Sequence, residues 1–295
     1  MNKIIMGDNM KLGLSLSGGG IKGIAHIGSI KALEEENIEF KYISGTSSGS
    51  IVAILYACGY SVEEMRDIFY KYAKSIHYVD WVNIKKFFIN LFTGKGIKID
   101  GLNSGTKIYK LVNEICKEKG ISNINEINRP LIIPAVNILN EELYIFSNTE
   151  ITNRDKNIKY INNANVGTIV QASCSYPGIF SPCEYNNELL VDGGIAENLP
   201  WRETKKAGAD KVLSIVFSDR KQKNCCNNII EVLSKSFSIL CKELSKHEWD
   251  GADYLLNIQT DNVGLLEKSK MDELYAEGYN QTKRRIKDIK EKLRL

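Results

Sequence analysis

Apolar and polar positions alternate from Lys11 to Ser17, and the run ends in three glycines, which predicts a strand entering a tight loop. Ile24 to Glu36 reads as a helix, with Ile24, Ile27 and Ala32 among its apolar positions, and Phe40 to Ser44 as a short strand. Ser48 to Cys58 is apolar nearly all round, which predicts a buried helix stopped by Gly59. Ser61 opens a further helix to Ala73, with Glu64 completing a capping-box pattern. Ser104 to Lys119 places Ile108, Leu111, Val112 and Ile115 at helical spacing before Gly120. Pro130 to Ile138 and Glu142 to Phe146 read as strands around a polar turn at Asn140, and Asn163 to Cys174 as a small-residue helix. A strand at Glu188 to Val191 runs into Asp192-Gly193-Gly194, and Pro200 opens a helix from its first turn. Lys211 to Phe217 (strand), Ile229 to His247 (helix) and Tyr254 to Gln259 (strand) follow. A helix from Asp272 to Leu295, with Tyr279, Ile286, Ile289 and Leu293 on one face, ends the chain.

Alternating strands and helices predict an α/β fold, a mostly parallel central sheet covered on both faces as three α/β/α layers. No repeat, low-complexity segment or proline-rich linker divides the chain, since only 5 residues are proline. One domain over residues 1–295 is the simplest organisation. A chain of 295 residues can bury a full core without disulfides or metals. Tyr42 to Val62 carries no charge, but Ser44 to Ser50 fill its middle with small polar residues, which argues against a membrane span. Met1 to Met10 does not read as a signal peptide, because Lys3 and Asp8 flank only a short apolar run.

Composition narrows the classes further. With 39 Lys and Arg against 36 Asp and Glu, the net charge of +3 gives no argument for nucleic acid. The 7 cysteines, Cys58, Cys116, Cys174, Cys183, Cys225, Cys226 and Cys241, form no CxxC pair, so reduced thiols in the cytoplasm are expected. No metal-binding motif of the EF-hand or HExxH kind occurs, and neither a metal nor a cofactor is expected.

Three short motifs carry candidate chemistry. Gly18-Gly19-Gly20-Ile21-Lys22-Gly23 follows the first strand and opens a helix. It fits GxGxxG, yet a dinucleotide site needs an acid at the end of the second strand, where Ser44-Gly45-Thr46-Ser47 stands; Glu39 precedes that strand. Consecutive glycines at a helix start can instead offer amides to an oxyanion. Gly45-Thr46-Ser47-Ser48-Gly49, between strand and helix, has the form of a nucleophile elbow, with Ser47 on the bend and Gly45 and Gly49 relieving its crowding. Asp192-Gly193-Gly194 supplies a carboxylate after a strand, with two glycines that permit close approach of another loop. The three histidines are His26, His77 and His247; by chain order a Ser–Asp–His triad would use His247. None lies in a glycine-rich loop at a strand end, which makes Asp192 the better candidate base.

Taken in order, GGG-x-K-G, G-T-S-S-G and D-G-G resemble the patatin-like phospholipase family. Ala172 to Phe180 and Ile195 to Pro200 resemble the family's flanking stretches, and the likeness covers about residues 11–216. The resemblance implies a lipid acyl hydrolase of the phospholipase A type. Ser47 is then the nucleophile, Asp192 the base, and the loop of Gly18, Gly19, Gly20, Ile21 and Lys22 the oxyanion hole. Lys22 stands where the family often has arginine, and Ser48 where alanine is common. The implied partner is a phospholipid or other acyl ester, at a membrane surface, with no nucleic acid. A protein activator and an oligomeric state are not specified.

Ile76 to Gly96 interleaves Tyr78, Trp81, Phe87, Phe88, Leu91 and Phe92 with Lys85 and Lys86, a pattern open to either a lipid-touching flap or a packed helix. Lys283 to Arg294 holds 7 basic residues and 2 acidic ones, the composition of a solvated helix face or of an anionic-lipid contact. Two rival functions stay open: an esterase with a His247 triad, and a non-catalytic lipid- or nucleotide-binding protein.

Overall fold

The computed structural model describes residues 10–75, 101, 103–220, 232, 235, 236, 239–241, 243–245, 249–261, 263, 264 and 267–295. Residues 76–96, His77, Cys225, Cys226 and His247 lie outside the described residues, as do 1–9.

The strands are β1 (Leu12–Leu16), β2 (Tyr42–Gly45), β3 (Leu131–Asn137), β4 (Leu143–Ser147), β5 (Ile158–Ile161), β6 (Cys183–Tyr185), β7 (Glu188–Asp192), β8 (Lys211–Asp219) and β9 (Tyr254–Thr260). They make one sheet in the order β5-β4-β3-β2-β1-β8-β9, with β7 also pairing β3 and β6 pairing β7. The helices are α1 (Ile24–Glu34), α2 (Ser48–Ala57), α3 (Val62–Ser75), α4 (Thr106–Glu118), α5 (Val166–Ser173), α6 (Trp201–Lys206) and α7 (Met271–Leu293). The expected capping box is present: the Ser61 amide donates to Glu64 Oε2 at 2.8 Å, and the Glu64 amide to Ser61 Oγ at 3.2 Å.

Alternate residues of the central strands feed two separate apolar cores, as the pleat requires. Leu12, Leu14 and Leu16 of β1 with Leu213 and Ile215 of β8 join the core under α1, α2, α3, α4, α5 and α7. Val212 and Val216 of β8, with Tyr42 of β2, join a smaller core with Trp201 of α6. The result is the expected three layers, and the sheet is mostly parallel. The exceptions are the antiparallel pairings of β3 with β4 and β7 and of β6 with β7.

The antiparallel pairing of β7 positions the site. Along β3, Ile132 pairs with Ser44 of β2, while Ala135 pairs with Asp192 of β7. One edge of β3 is occupied by β4 at both positions, so β2 and β7 share the other edge. They run in opposite directions and meet end to end, which brings the turn after β2 against the end of β7.

Two differences from the sequence reading have simple causes. Strands β5 and β6 are half-exposed and only four and three residues long, too short to leave a period. Pro200 caps α6 rather than entering its first turn. Among the described residues no helix is long and apolar enough to cross a membrane. The charge-free stretch at Tyr42–Val62 forms β2 and buried α2.

Helix α7 returns the end of the chain to the first helix. A Cβ at Gly278 would lie 2.0 Å from the Ala25 carbonyl oxygen, and one at Gly28 2.1 Å from that of Tyr275, so the α1 and α7 backbones touch through these glycines. Gly278→Val should therefore lower unfolding free energy by about 3 kcal/mol or more, through forced separation of the two helices. A urea midpoint equal to that of the parent protein would contradict this.

Candidate active site

Ser47 sits on the turn between β2 and α2 with φ 53° and ψ −125°, a left-handed φ that costs a non-glycine residue on the order of 1–3 kcal/mol. The bend is tight enough to exclude side chains at both flanks. A Cβ at Gly45 would come within 2.3 Å of the Gly49 carbonyl oxygen, and one at Gly49 within 2.5 Å of the Leu16 carbonyl oxygen. The strained turn is held on several sides. The Ser47 amide donates to Ser173 Oγ at 3.0 Å, Ser50 Oγ to the Ser47 carbonyl at 2.6 Å, and Thr46 Oγ1 to the Glu197 carbonyl at 2.9 Å. Helix α2 begins directly after Ser47, so its amide end faces the hydroxyl and favours negative charge there.

Asp192, 2% exposed, is the last residue of β7. Its amide donates to the Ser175 carbonyl at 3.0 Å, and its Oδ1 accepts from the Gly194 amide at 2.8 Å. Its Oδ2 is buried without a full hydrogen bond. Burial raises the carboxyl pKa to about 6, against the opposing pull of the nearby Ser47 hydroxyl and the Gly194 amide. The hydroxyl thus approaches the carboxylate closely enough to act on its charge, yet short of a regular hydrogen bond to Oδ2, a looseness common before substrate binds.

The glycine loop forms the facing wall. Gly18 lies beside Ser47: a Cβ on it would sit 3.0 Å from Ser47 Cβ. The Gly18 amide, expected in the oxyanion set, is already taken by Asn198 Oδ1 at 3.0 Å. The amides of Gly19, Gly20 and Ile21 have no hydrogen-bond acceptor among the described residues. Lys22 also departs from expectation. Its ammonium stands 2.5 Å from Asp219 Oδ1, which Thr260 Oγ1 also contacts at 3.0 Å, so that carboxylate partly cancels its charge.

Ser47, Asp192, Gly18, Gly19, Gly20, Lys22 and Gly194 all line one cavity of about 450 Å³, with Ile179, Phe180, Val216, Phe217 and Ile239 among its apolar walls. Ile21, Gly45, Gly49 and Gly193 adjoin these residues in the chain and are not among those that line the cavity. Of the histidines, only His26 is described, and it does not line the cavity. It is fully buried, and its Nε2 donates to the Ser17 carbonyl at 2.9 Å, directly before the glycine loop. Its ring packs on Phe217 with centroids 4.4 Å apart, and burial lowers its pKa to about 4. His26 is therefore a neutral support of the loop. No acid stands at the end of β2, where a dinucleotide site would need one.

Sequence reasoning missed three supports: Asn198, Ser173 and His26. Asn198 had a signal, since it lies six residues beyond Asp192 in a polar stretch after the double glycine; its bond to Gly18, 180 residues away, had none. Ser173 and His26 sit inside helices as ordinary small or packed residues. Among the described residues no cluster of three or more His, Cys, Asp or Glu side chains is arranged to hold a metal ion.

Comparison with known proteins adds to this geometry. The family model described as patatin-like phospholipase matches residues 14–205. Lysophospholipase NTE1 of Meyerozyma guilliermondii is 27% identical over 299 residues, covering 92% of this chain but 19% of that protein. The chain thus spans about a fifth of that relative's length. The uncharacterized protein YqhO of Bacillus subtilis is 28% identical over 227 residues, 72% of this chain and 73% of its own. Among solved structures, VipD from Legionella pneumophila shares the fold, with a TM-score of 0.50 at 17% identity, over 95% of this chain and 67% of VipD.

Proposed function

The chain belongs to the patatin-like phospholipase family, and from that membership we propose that it is a lipid acyl hydrolase using Ser47 and Asp192 as a catalytic dyad. The observation that carries the reading is the meeting, in one cavity, of a strained hydroxyl, a buried carboxylate with a pKa of about 6 and a glycine loop with unused amides.

Ser47 Oγ attacks the ester carbonyl carbon, and its proton passes to Asp192 Oδ2, the oxygen without a full hydrogen bond. The carbonyl oxygen becomes an oxyanion held by the amides of Gly19, Gly20 and Ile21, each donor worth about 3 kcal/mol. The alcohol leaves as a lysophospholipid, or as a glycerophosphodiester when the substrate is a lysophospholipid, taking the proton from Asp192. Water, deprotonated by the same carboxylate, then attacks the acyl-enzyme and releases the fatty acid. The apolar wall of Ile179, Phe180, Val216 and Phe217 suits an acyl chain. The name of the NTE1 relative adds lysophospholipids to phospholipids as substrates to try first.

Labelling with a long-chain fluorophosphonate tests the assignment: the adduct should map to Ser47, and labelling should abolish fatty-acid release from lysophosphatidylcholine micelles. An adduct at any other residue overturns it. The pH profile is a second test. Asp192 must be ionised to act, so kcat/KM for an uncharged ester should climb about tenfold per pH unit below pH 6 and level off above about pH 7. A limb centred near pH 4 would remove the buried carboxylate from the mechanism.

A further inference from the structure

Away from the cavity, two thiols face each other. Cys58 closes α2 at its C-terminal end, Cys116 lies near the end of α4, and their Sγ atoms are 3.9 Å apart although 58 residues separate them in the chain. Cys116 is buried and Cys58 half-buried, so a solute reaches Cys58 first. Lys119, one turn beyond Cys116, holds its ammonium 4.5 Å from the centre of the Tyr60 ring. The Tyr60 hydroxyl in turn donates to the Ile115 carbonyl at 2.5 Å, fastening the segment after α2 to α4.

Two other readings of the pair are weaker. A metal site needs further ligands, and among the described residues no third His, Cys, Asp or Glu joins the thiols. Plain apolar packing of two cysteines leaves the half-exposure of Cys58 and the neighbouring cation without a role.

We infer that Cys58 and Cys116 form a reversible intramolecular disulfide when the protein meets hydrogen peroxide. Cys58 attacks the peroxide as the thiolate, cleaving the O–O bond to give Cys58 sulfenic acid and one water after proton uptake. The Cys116 sulfur then attacks the Cys58 sulfur and displaces hydroxide, which takes the Cys116 proton and leaves as a second water. Two thiols lose two electrons and one peroxide gains them. The hydrogen bond from Cys116 and the Lys119 charge hold the Cys58 thiol below its ordinary pKa, while that same hydrogen bond and burial push Cys116 up, which fits attacking and resolving roles.

Closing the bond needs the sulfurs to approach from 3.9 Å to about 2.05 Å. Cys58 has room to move: it is the residue after the last turn of α2, and Gly59, at φ 77°, has open space where a side chain would stand. The bridge would also tie together the two supports of Ser47. Helix α2 starts at that turn, and α4 packs on α5, whose last residue, Ser173, accepts the Ser47 amide.

The test uses the full chain, reduced, desalted, treated with hydrogen peroxide at neutral pH and mapped without reductant. The expected product is lighter by about 2 Da, contains a linked Cys58–Cys116 peptide pair, and reverts with dithiothreitol. In Cys116→Ala, Cys58 should instead be captured as a sulfenic acid by dimedone, whereas in Cys58→Ala the buried Cys116 should remain an unmodified thiol. Recovery of both Cys58 and Cys116 from the wild-type protein as alkylatable thiols after treatment, or a link from Cys58 to a different cysteine, overturns the inference. The wild-type map decides even where a variant fails to fold, and it is independent of the hydrolase reading.

Discussion

Replacing Ser47 with alanine should reduce ester hydrolysis by about 10⁴-fold or more, since no other described hydroxyl occupies the strained turn opposite Asp192. The loss should appear in kcat, with substrate binding little changed, because the cavity walls and the glycine loop are untouched. Ser47→Gly makes a useful companion. The turn holds residue 47 at φ 53°, which glycine adopts freely and alanine does not. Both variants should be inactive, but the glycine variant should unfold at higher urea concentration, by roughly 1 kcal/mol of unfolding free energy. Hydrolysis within tenfold of the parent rate in either variant would eliminate Ser47 as the nucleophile. Equal stability of the two would remove backbone strain from the description of the turn.

Asp192→Asn should separate activity from stability. Asparagine keeps an acceptor for the Gly194 amide but cannot take a proton from Ser47, so hydrolysis should fall by about 10³-fold or more. The fold should gain. The folded pKa of Asp192 is about 6 against an ordinary value of 3.8. The native state therefore binds this proton more tightly than the unfolded chain does. The stabilisation is complete below pH 3.8, declines as pH rises through the interval and is gone above about pH 6, where the wild-type protein must hold a buried charge. The difference between 3.8 and about 6 corresponds to about 3 kcal/mol. Asp192→Asn escapes this cost, so its melting temperature should exceed that of the parent at pH 8, with the difference shrinking towards pH 4. A variant less stable than the parent at pH 8 would show that the carboxylate is not held at such expense. Retained activity would exclude it as the base.

The local pieces of the site were legible because local chemistry demands them. Carbonyl oxygens 2.3–2.5 Å from where flanking side chains would begin leave glycine little competition at positions 45 and 49, on either side of the bend at Ser47. The capping pair Ser61 and Glu64 satisfies helix-end amides within three residues. The alternation along Leu12–Leu16 and Lys211–Asp219 reflects two cores on two faces. Where the reading erred, the deciding contact was distant. Gly18 offered an amide on paper, but Asn198, 180 residues on, had claimed it. Lys22 offered a charge that Asp219, 197 residues on, partly cancels.

The amino-acid order alone therefore determined most of the strand and helix sequence apart from the short β5 and β6, together with the strained serine turn, the glycine loop and the candidate carboxylate, because each depends on sterics and hydrogen bonds within a few residues. Only tertiary structure decided that β7 runs back along the β3 edge until its final residue meets the end of β2, since that register rests on many weak contacts summed over the sheet. It also decided the proton affinity of Asp192, because desolvation belongs to everything packed around a carboxylate and to no single neighbour in sequence.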